Sequence, residues 1–200
     1  HRQTRATDRT NPTRVMSRAR DLGRAIDETF DDGITSLTFR ARDDDDDARA
    51  SVLRVTSWDG TTRAYECRDD ARAGIARRTM LATHDAPVLC GTFLGTCDRA
   101  CVGLLDGSAR VVCLKSGTTT TLGAHARGPA ATIAHDEGGT GYVVTCGWDK
   151  TIRVWDPSAE VGDGREVSTT TTGKCFASDC ADGRFVCATS DGQTLAYDVE

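Results

Sequence analysis

The sequence has 200 residues, a formal net charge of −5 and a hydrophobic fraction of 38%. This balance is typical of a globular chain and lacks the basic excess of nucleic-acid-binding proteins. No apolar stretch approaches the ~20 residues that a membrane-spanning helix needs. We therefore expect neither a direct nucleic-acid partner nor a membrane partner.

The first 24 residues differ in composition from the rest. They contain seven Arg and few apolar residues. An Arg-rich, acid-poor leader is typical of organellar transit segments. The alternatives are a disordered tail or translated sequence upstream of a start at Met16. We expect residues 1–24 to be a disordered leader and residues 25–200 to form one partial domain.

One short phrase recurs four times in the remainder of the chain. In each copy a turn Asp is followed, six positions on, by an apolar or aromatic residue. The spacings are 47, 43 and 42 residues between Asp59, Asp106, Asp149 and Asp191. Asp-Gly or Asp-Lys between two apolar runs is typical of a tight β-hairpin, because Asp accepts hydrogen bonds from its own turn and Gly adopts positive φ. A period of roughly 40–45 residues with such turns and a terminal Trp-Asp predicts the blades of a WD-repeat β-propeller.

Short runs rich in β-branched and aromatic residues flank the turns and predict strands rather than helices. The fold class is therefore all-β, with four blades expected over residues 34–81, 88–122, 130–167 and 175–200. Propellers close with typically 4–8 blades of four strands each. The sequence thus predicts a partial propeller, either a fragment of a longer protein or a chain that closes by self-association.

A His precedes two of the turns. His84 lies 22 residues before Asp106, and His125 lies 24 residues before Asp149. In WD-repeat families a loop His and the turn Asp of the same blade form a buried hydrogen-bonded network. We therefore expect a structural role for both His residues and for the four turn Asp residues: Asp59, Asp106, Asp149 and Asp191.

The sequence contains little that indicates a metal site or catalysis. Its nine Cys include no Cys-x-x-Cys, and Cys97 and Cys101 have no His or Cys partner at zinc spacing. We expect reduced structural thiols, no metal and no cofactor. The sequence has no phosphate-binding glycine loop, no nucleophile elbow and no His-Glu-x-x-His. We therefore expect a protein that is not an enzyme and has no catalytic residues.

Trp58 and Trp148 stand directly before the turn Asp of the first and third repeats. A side chain at this position faces the rim of a propeller's top surface. Exposed aromatic residues are the usual anchors of partner sites. We therefore expect Trp58 and Trp148 to bind a partner; the alternative is that each Trp folds down over its own blade.

Longer motifs resemble a known family over about residues 30–200. The segments Asp31–Phe39, His84–Leu89 and Gly147–Pro157 resemble, in this order, the spindle-assembly-checkpoint propeller that binds Bub-type kinases. The sister family, the messenger-RNA export propeller that binds a nucleoporin, shares most of these features. Leu104–Gly107 and Trp155–Pro157 look closer to the checkpoint family.

The resemblance implies a seven-bladed, non-catalytic scaffold of the mitotic checkpoint, located in the nucleus, at kinetochores and in the cytoplasm. In this family a short acidic and apolar partner segment crosses the top face and contacts two turn tryptophans, a role that we carry over to Trp58 and Trp148. The implied partners are checkpoint kinases or, in the sister family, a nucleoporin, and the family complex is also associated with ubiquitin binding. A generic WD-repeat adaptor, for example in ubiquitin ligation, stays open as an alternative.

Overall fold

The computed structural model describes residues 26, 28–40, 50–68, 76–95, 98–136, 141–158 and 167–199. In these ranges the chain forms fifteen β-strands and no helix, which confirms the expected all-β class. The described residues therefore contain no helix that is long and apolar enough to cross a membrane. The leader expected over residues 1–24 lies outside the described residues.

The strands form four antiparallel sheets in which chain neighbours pair. The first sheet has the order β1-β2-β3-β4 and comprises β1 (Ile34–Phe39), β2 (Ala50–Ser57), β3 (Thr61–Arg68) and β4 (Ala76–Thr83). The second comprises β5 (Val88–Phe93), β6 (Arg99–Leu104), β7 (Ser108–Cys113) and β8 (Thr119–Ala124). The third comprises β9 (Ala130–His135), β10 (Val143–Gly147), β11 (Thr151–Trp155) and β12 (Val167–Thr170). The fourth has three described strands: β13 (Cys175–Ala181), β14 (Arg184–Thr189) and β15 (Thr194–Asp198).

Each sheet contains a tight hairpin between its second and third strands. The residue after the turn Asp has positive φ in all four hairpins, as Gly60 (78°), Gly107 (93°), Lys150 (64°) and Gly192 (80°). Glycine adopts this conformation without steric cost, and the third hairpin places a lysine there instead. The repeated turn therefore has one backbone geometry in all four sheets.

Successive sheets pack through their first strands. Strand β1 contacts β5, β5 contacts β9, and β9 contacts β13. The apolar core lies between the sheets, in clusters centred on Val102 and Leu104 for the first interface and on Val144 and Phe185 for the last. Burying such side chains is the main favourable contribution to folding, at about 25 cal/mol per Å².

A buried arginine joins the first two sheets. The Arg54 side chain on β2 is wholly buried, and its guanidinium donates to Thr38 Oγ1 at 2.9 Å and to the Gly91 carbonyl at 2.5 Å. Burial lowers the pKa of Arg54 to about 10. A Cβ on Gly91 would lie 2.3 Å from the guanidinium, so the glycine makes the space for this contact.

Candidate partner-binding site on the hairpin turns

The turn Asp residues are held by hydrogen bonds within their own hairpins. In three blades the carboxylate accepts from the backbone amide and the hydroxyl of the residue two positions on. The hydroxyl distances are 2.6, 2.7 and 2.7 Å for Asp59–Thr61, Asp106–Ser108 and Asp149–Thr151. In the fourth blade the Asp191 carboxylate accepts from Thr189 and Thr172 instead. The turns are therefore rigid, and they fix the direction of the residue that precedes each Asp.

In blades one and two an arginine four positions after the Asp supports the turn. Arg63 lies 3.3 Å from the Asp59 carboxylate, and Arg110 lies 3.6 Å from that of Asp106. These arginines and the hydroxyl residues were not predicted from the sequence. A signal was present, because Thr-x-Arg or Ser-x-Arg follows the turn in the first three repeats.

Three of the turn carboxylates, those of Asp59, Asp149 and Asp191, have lowered pKa values. Burial opposes the charge of Asp59, but hydrogen bonds from the hydroxyl and amide of Thr61 outweigh it and lower the pKa. Burial acts the same way on Asp149, where Thr151 and His125 supply the bonds that lower the pKa. Both groups are therefore ionised at neutral pH.

Blade three brings its loop His and its turn Asp together. His125 Nδ1 lies 3.0 Å from Asp149 Oδ1, and His125 Nε2 lies 2.9 Å from Thr145 Oγ1. Trp155 Nε1 donates to the same Thr145 hydroxyl at 2.8 Å. Thr145 and Trp155 thus complete a buried network. Only its His and its Asp were predicted from the sequence.

Donor chemistry fixes the direction of two bonds in this network. A carboxylate can only accept and an indole N–H can only donate, so His125 Nδ1–H donates to the Asp149 carboxylate and Trp155 Nε1–H donates to the Thr145 oxygen. The Thr145 hydroxyl also contacts His125 Nε2, so this one side chain holds both the imidazole and the indole in place.

Blade two does not form the same network. His84 Nε2 lies 3.1 Å from Thr62 Oγ1 of blade one, and His84 Nδ1 is buried without a hydrogen-bond partner. No hydrogen bond therefore joins His84 to Asp106. Burial, followed by the nearby charge of Arg110, lowers the pKa of His84 to about 4.

Trp58 and Trp148 occupy the same position in the hairpins of blades one and three. Their side chains are 44% and 42% exposed. The same position in blade two holds Leu105, which is 40% exposed, and blade four has the exposed Ser190. Equivalent turns therefore present a large apolar side chain in three consecutive blades.

Trp148 is the centre of a small aromatic and cationic patch. Phe176 on β13 packs edge-on against the Trp148 ring, with centroids 6.4 Å apart. Lys174 Nζ lies 5.2 Å from the ring centroid, within the range of a cation–π contact. Phe176 is itself exposed. Lys174 lies directly before β13 and Phe176 lies on it. Both therefore belong to the next blade, and the repeat that contains Trp148 does not indicate them.

The amino-acid sequence is similar to curated proteins of the mitotic checkpoint and of mRNA export. No protein-family model matches the chain. A stretch of 152 residues is 27% identical to the mitotic checkpoint protein bub-3 of Caenorhabditis elegans and covers 76% of this chain and 42% of that protein. A stretch of 126 residues is 32% identical to the mRNA export factor GLE2 of Chaetomium thermophilum and covers 63% of this chain and 34% of that protein. The chain therefore spans less than half the length of these curated relatives.

Two further similarities concern the fold. The WD40 repeat protein poxJ of Penicillium oxalicum is 32% identical over 111 residues, which are 54% of this chain and 31% of that protein. The solved structure of Chaetomium thermophilum Raptor matches with a TM-score of 0.68 and 17% identity, over 86% of this chain and 16% of that chain. The chain has the fold of a WD-repeat β-propeller. The propeller's described part comprises three four-stranded blades and three strands of a fourth.

The comparisons also confirm the resemblance on which the sequence analysis relied. The propeller's curated relatives come from both families, one of the mitotic checkpoint and one of mRNA export. The structural role of the turn Asp and His residues and the binding role of Trp58 and Trp148 stay predictions.

Proposed function

We propose that this propeller is a non-catalytic scaffold of the mitotic checkpoint that binds a short segment of a checkpoint kinase across Trp58 and Trp148. The proposal depends on one observation, the half-exposed Trp at the same hairpin position in blades one and three. An aromatic ring left in water forgoes much of the free energy that its burial would contribute. Aromatic residues so placed are enriched among the anchors of protein interfaces.

The rigid turns favour this binding mode. The carboxylates of Asp59 and Asp149 hold their hairpins through several hydrogen bonds each. Little receptor entropy is therefore lost when a partner segment docks on Trp58 or Trp148, since the turns are ordered beforehand. The flexible partner segment bears most of the ordering cost.

The surroundings of Trp148 indicate the chemistry of the segment. Phe176 extends the apolar surface, and the Lys174 ammonium stands at its edge. A segment that combines apolar side chains with a carboxylate would bury its apolar part on the two rings and place its charge near Lys174. The partner implied by the resemblance has this composition, and we place the complex at kinetochores, in the nucleus and in the cytoplasm.

A second function is favoured by a specific observation. The mRNA export factor GLE2 is 32% identical over its matched stretch, against 27% for the checkpoint protein bub-3. In that case the docking segment belongs to a nucleoporin. A generic WD-repeat adaptor, in ubiquitin ligation for example, is the third candidate, and in it the two Trp residues only pack.

Titration calorimetry with two peptides tests the proposal. One peptide comes from a checkpoint kinase and the other from a nucleoporin, and each is titrated into the full 200-residue chain. We expect the kinase peptide to bind more tightly. Trp58→Ala or Trp148→Ala should each weaken this binding by ~2 kcal/mol or more, as is usual for an aromatic hot spot.

Leu81→Ala is the matched control. Leu81 on β4 is 45% exposed, close to the exposure of the two Trp residues, but it does not lie on a hairpin turn. Its substitution should leave the affinity unchanged. Tighter binding of the nucleoporin peptide would assign the propeller to mRNA export. Binding that neither Trp substitution alters would place the partner elsewhere.

A further inference from the structure

Three buried thiols meet between blades three and four. Cys146 on β10, Cys175 on β13 and Cys187 on β14 have their sulfur atoms all within 4.8 Å of one another. Their exposed fractions are 0%, 0% and 1%. Two blades contribute to the group, so no spacing along the sequence could have indicated it.

One of the three thiols, that of Cys187, occupies the position in blade four that corresponds to Thr145 in the polar network of blade three. The equivalence follows from the turn Asp and from the backbone, since Thr171 donates its amide to Lys150 just as His125 donates to Gly107. Blade four keeps the turn Asp but replaces the other three members of the network, in the pairs His125 and Thr171, Thr145 and Cys187, and Trp155 and Tyr197. Smaller and softer groups therefore stand where blade three has an imidazole and a threonine.

The surroundings suit a metal ion with soft ligands. Apolar side chains enclose the thiols, among them Val144, Ile152 and Phe185. The Thr171 hydroxyl donates to the Gly173 carbonyl at 2.7 Å, and its oxygen lies 3.9 Å from the Cys175 sulfur.

The ligand set favours one kind of ion. Among the described residues no His or carboxylate joins the three thiols in the group. Structural zinc sites are almost always four-coordinate, and Cu(I) is among the ions that soft thiolates select, so a set of three thiols favours Cu(I) over zinc. A metal–sulfur bond of about 2.3 Å places three ligands around one ion roughly 4 Å apart, so the sulfur atoms need to move by less than about 1 Å. We propose that Cys146, Cys175 and Cys187 form a three-sulfur site for a thiophilic monovalent ion, Cu(I).

The binding step involves no redox change. Each metal–sulfur bond forms as a thiol loses its proton to solvent, and copper enters and stays as Cu(I). Affinity should therefore rise with pH, because protons compete with the metal for each sulfur. The site joins β10 to β13 and β14, so occupancy should also stabilise the contact between the two blades.

A competition titration tests the site. The reduced 200-residue chain is mixed without oxygen with Cu(I) bicinchoninate, whose colour is lost when the protein removes the metal. We expect the chain to take up one Cu(I), and X-ray absorption at the copper edge to show three sulfur neighbours. Cys146→Ser, Cys175→Ser and Cys187→Thr should each lower the affinity at least tenfold. Cys187→Thr introduces the residue that blade three has at this position.

Cys180→Ser and Cys113→Ser are the matched controls. Both thiols are partly exposed and free, and neither belongs to the buried trio. They should retain full Cu(I) affinity, with circular dichroism confirming that every variant keeps its β structure. No uptake by the unaltered chain, or uptake that survives all three trio substitutions, would overturn the site. Stronger binding of Zn(II) than of Cu(I), measured with a zinc indicator, would overturn the choice of metal.

Discussion

Blades two and three carry the same turn Asp and the same loop His, yet these residues are hydrogen-bonded to each other only in blade three. His125 contacts Asp149 at 3.0 Å, whereas His84 contacts Thr62 of the preceding blade. The backbone is not the cause, because His84 and His125 donate their amides to equivalent glycines of the preceding turn, Gly60 and Gly107. The difference lies in the side chains that face the imidazole.

Two strand positions decide the outcome. Thr145 on β10 and Trp155 on β11 provide the hydroxyl and the indole N–H of the blade-three network. The equivalent residues of blade two are Val102 and Val112, and both are buried in an apolar cluster. With no hydroxyl to orient its ring, His84 turns to the neighbouring blade. A His and an Asp at the right spacing are thus insufficient for the network.

The largest expected effect comes from Thr145→Val. The change keeps the shape of the side chain but leaves His125 Nε2 and Trp155 Nε1 buried without partners. Each unsatisfied group costs about 1–3 kcal/mol, so the free energy of unfolding should fall by about 3 kcal/mol. Urea denaturation followed by tryptophan fluorescence measures the loss.

Thr62→Val is the matched change at the His84 contact. It removes one hydrogen bond rather than two, so we expect a loss of about 1 kcal/mol. Equal losses for the two variants would show that the blade-three network adds nothing beyond a single His–Thr bond, and the contrast between the blades would then have no energetic meaning.

The sequence allowed the prediction of features whose chemistry is local. The Asp-Gly and Asp-Lys pairs act within four residues, and from them the four hairpins and the all-β class follow. Thr145 was missed because its role depends on a partner 20 residues away in the chain, His125. The Cys146, Cys175 and Cys187 group was missed for the same reason, since only the packing of two blades brings these thiols together. At the site around Trp148, the Trp itself was predicted from the sequence. Phe176 and Lys174 were not, because they belong to the neighbouring strand and loop.

An intermediate effect is expected from the residue that accommodates Trp155. A Cβ on Gly123 of β8 would stand 2.3 Å from the nearest atom of the Trp155 ring, which is buried. Gly123→Ala should therefore destabilise the fold by about 2 kcal/mol through overpacking. In blade one the equivalent residue is Ala82, which shares a core cluster with the smaller Val112. Differential scanning calorimetry of the variant measures the effect.

A double-mutant cycle shows whether the indole is the cause. Trp155→Val introduces the residue that blade two has at this position, and in its presence the cost of Gly123→Ala should largely disappear. Neighbouring residues that share a space show such non-additivity. Strictly additive changes would mean that Gly123 is required for its backbone and not for the fit of Trp155.

The smallest effect concerns pH and tests the His84 contact itself. Burial and the charge of Arg110 lower the pKa of His84 to about 4, against about 6.5 for an unperturbed histidine. On acidification the unfolded chain binds a proton near pH 6.5 while the folded protein does not, so stability is complete above that value and falls as the pH drops towards 4. Between pH 7 and 5.5 this difference amounts to about 1 kcal/mol. The Asp59 and Asp149 carboxylates stay ionised throughout this interval because their pKa values are lowered.

Urea midpoints measured at several pH values should therefore fall over this interval in the unaltered chain and fall less in His84→Gln. Identical slopes for the two proteins would mean that His84 takes up a proton in the folded state as readily as in the unfolded one, and the orphaned Nδ1 would then have to be accessible to water.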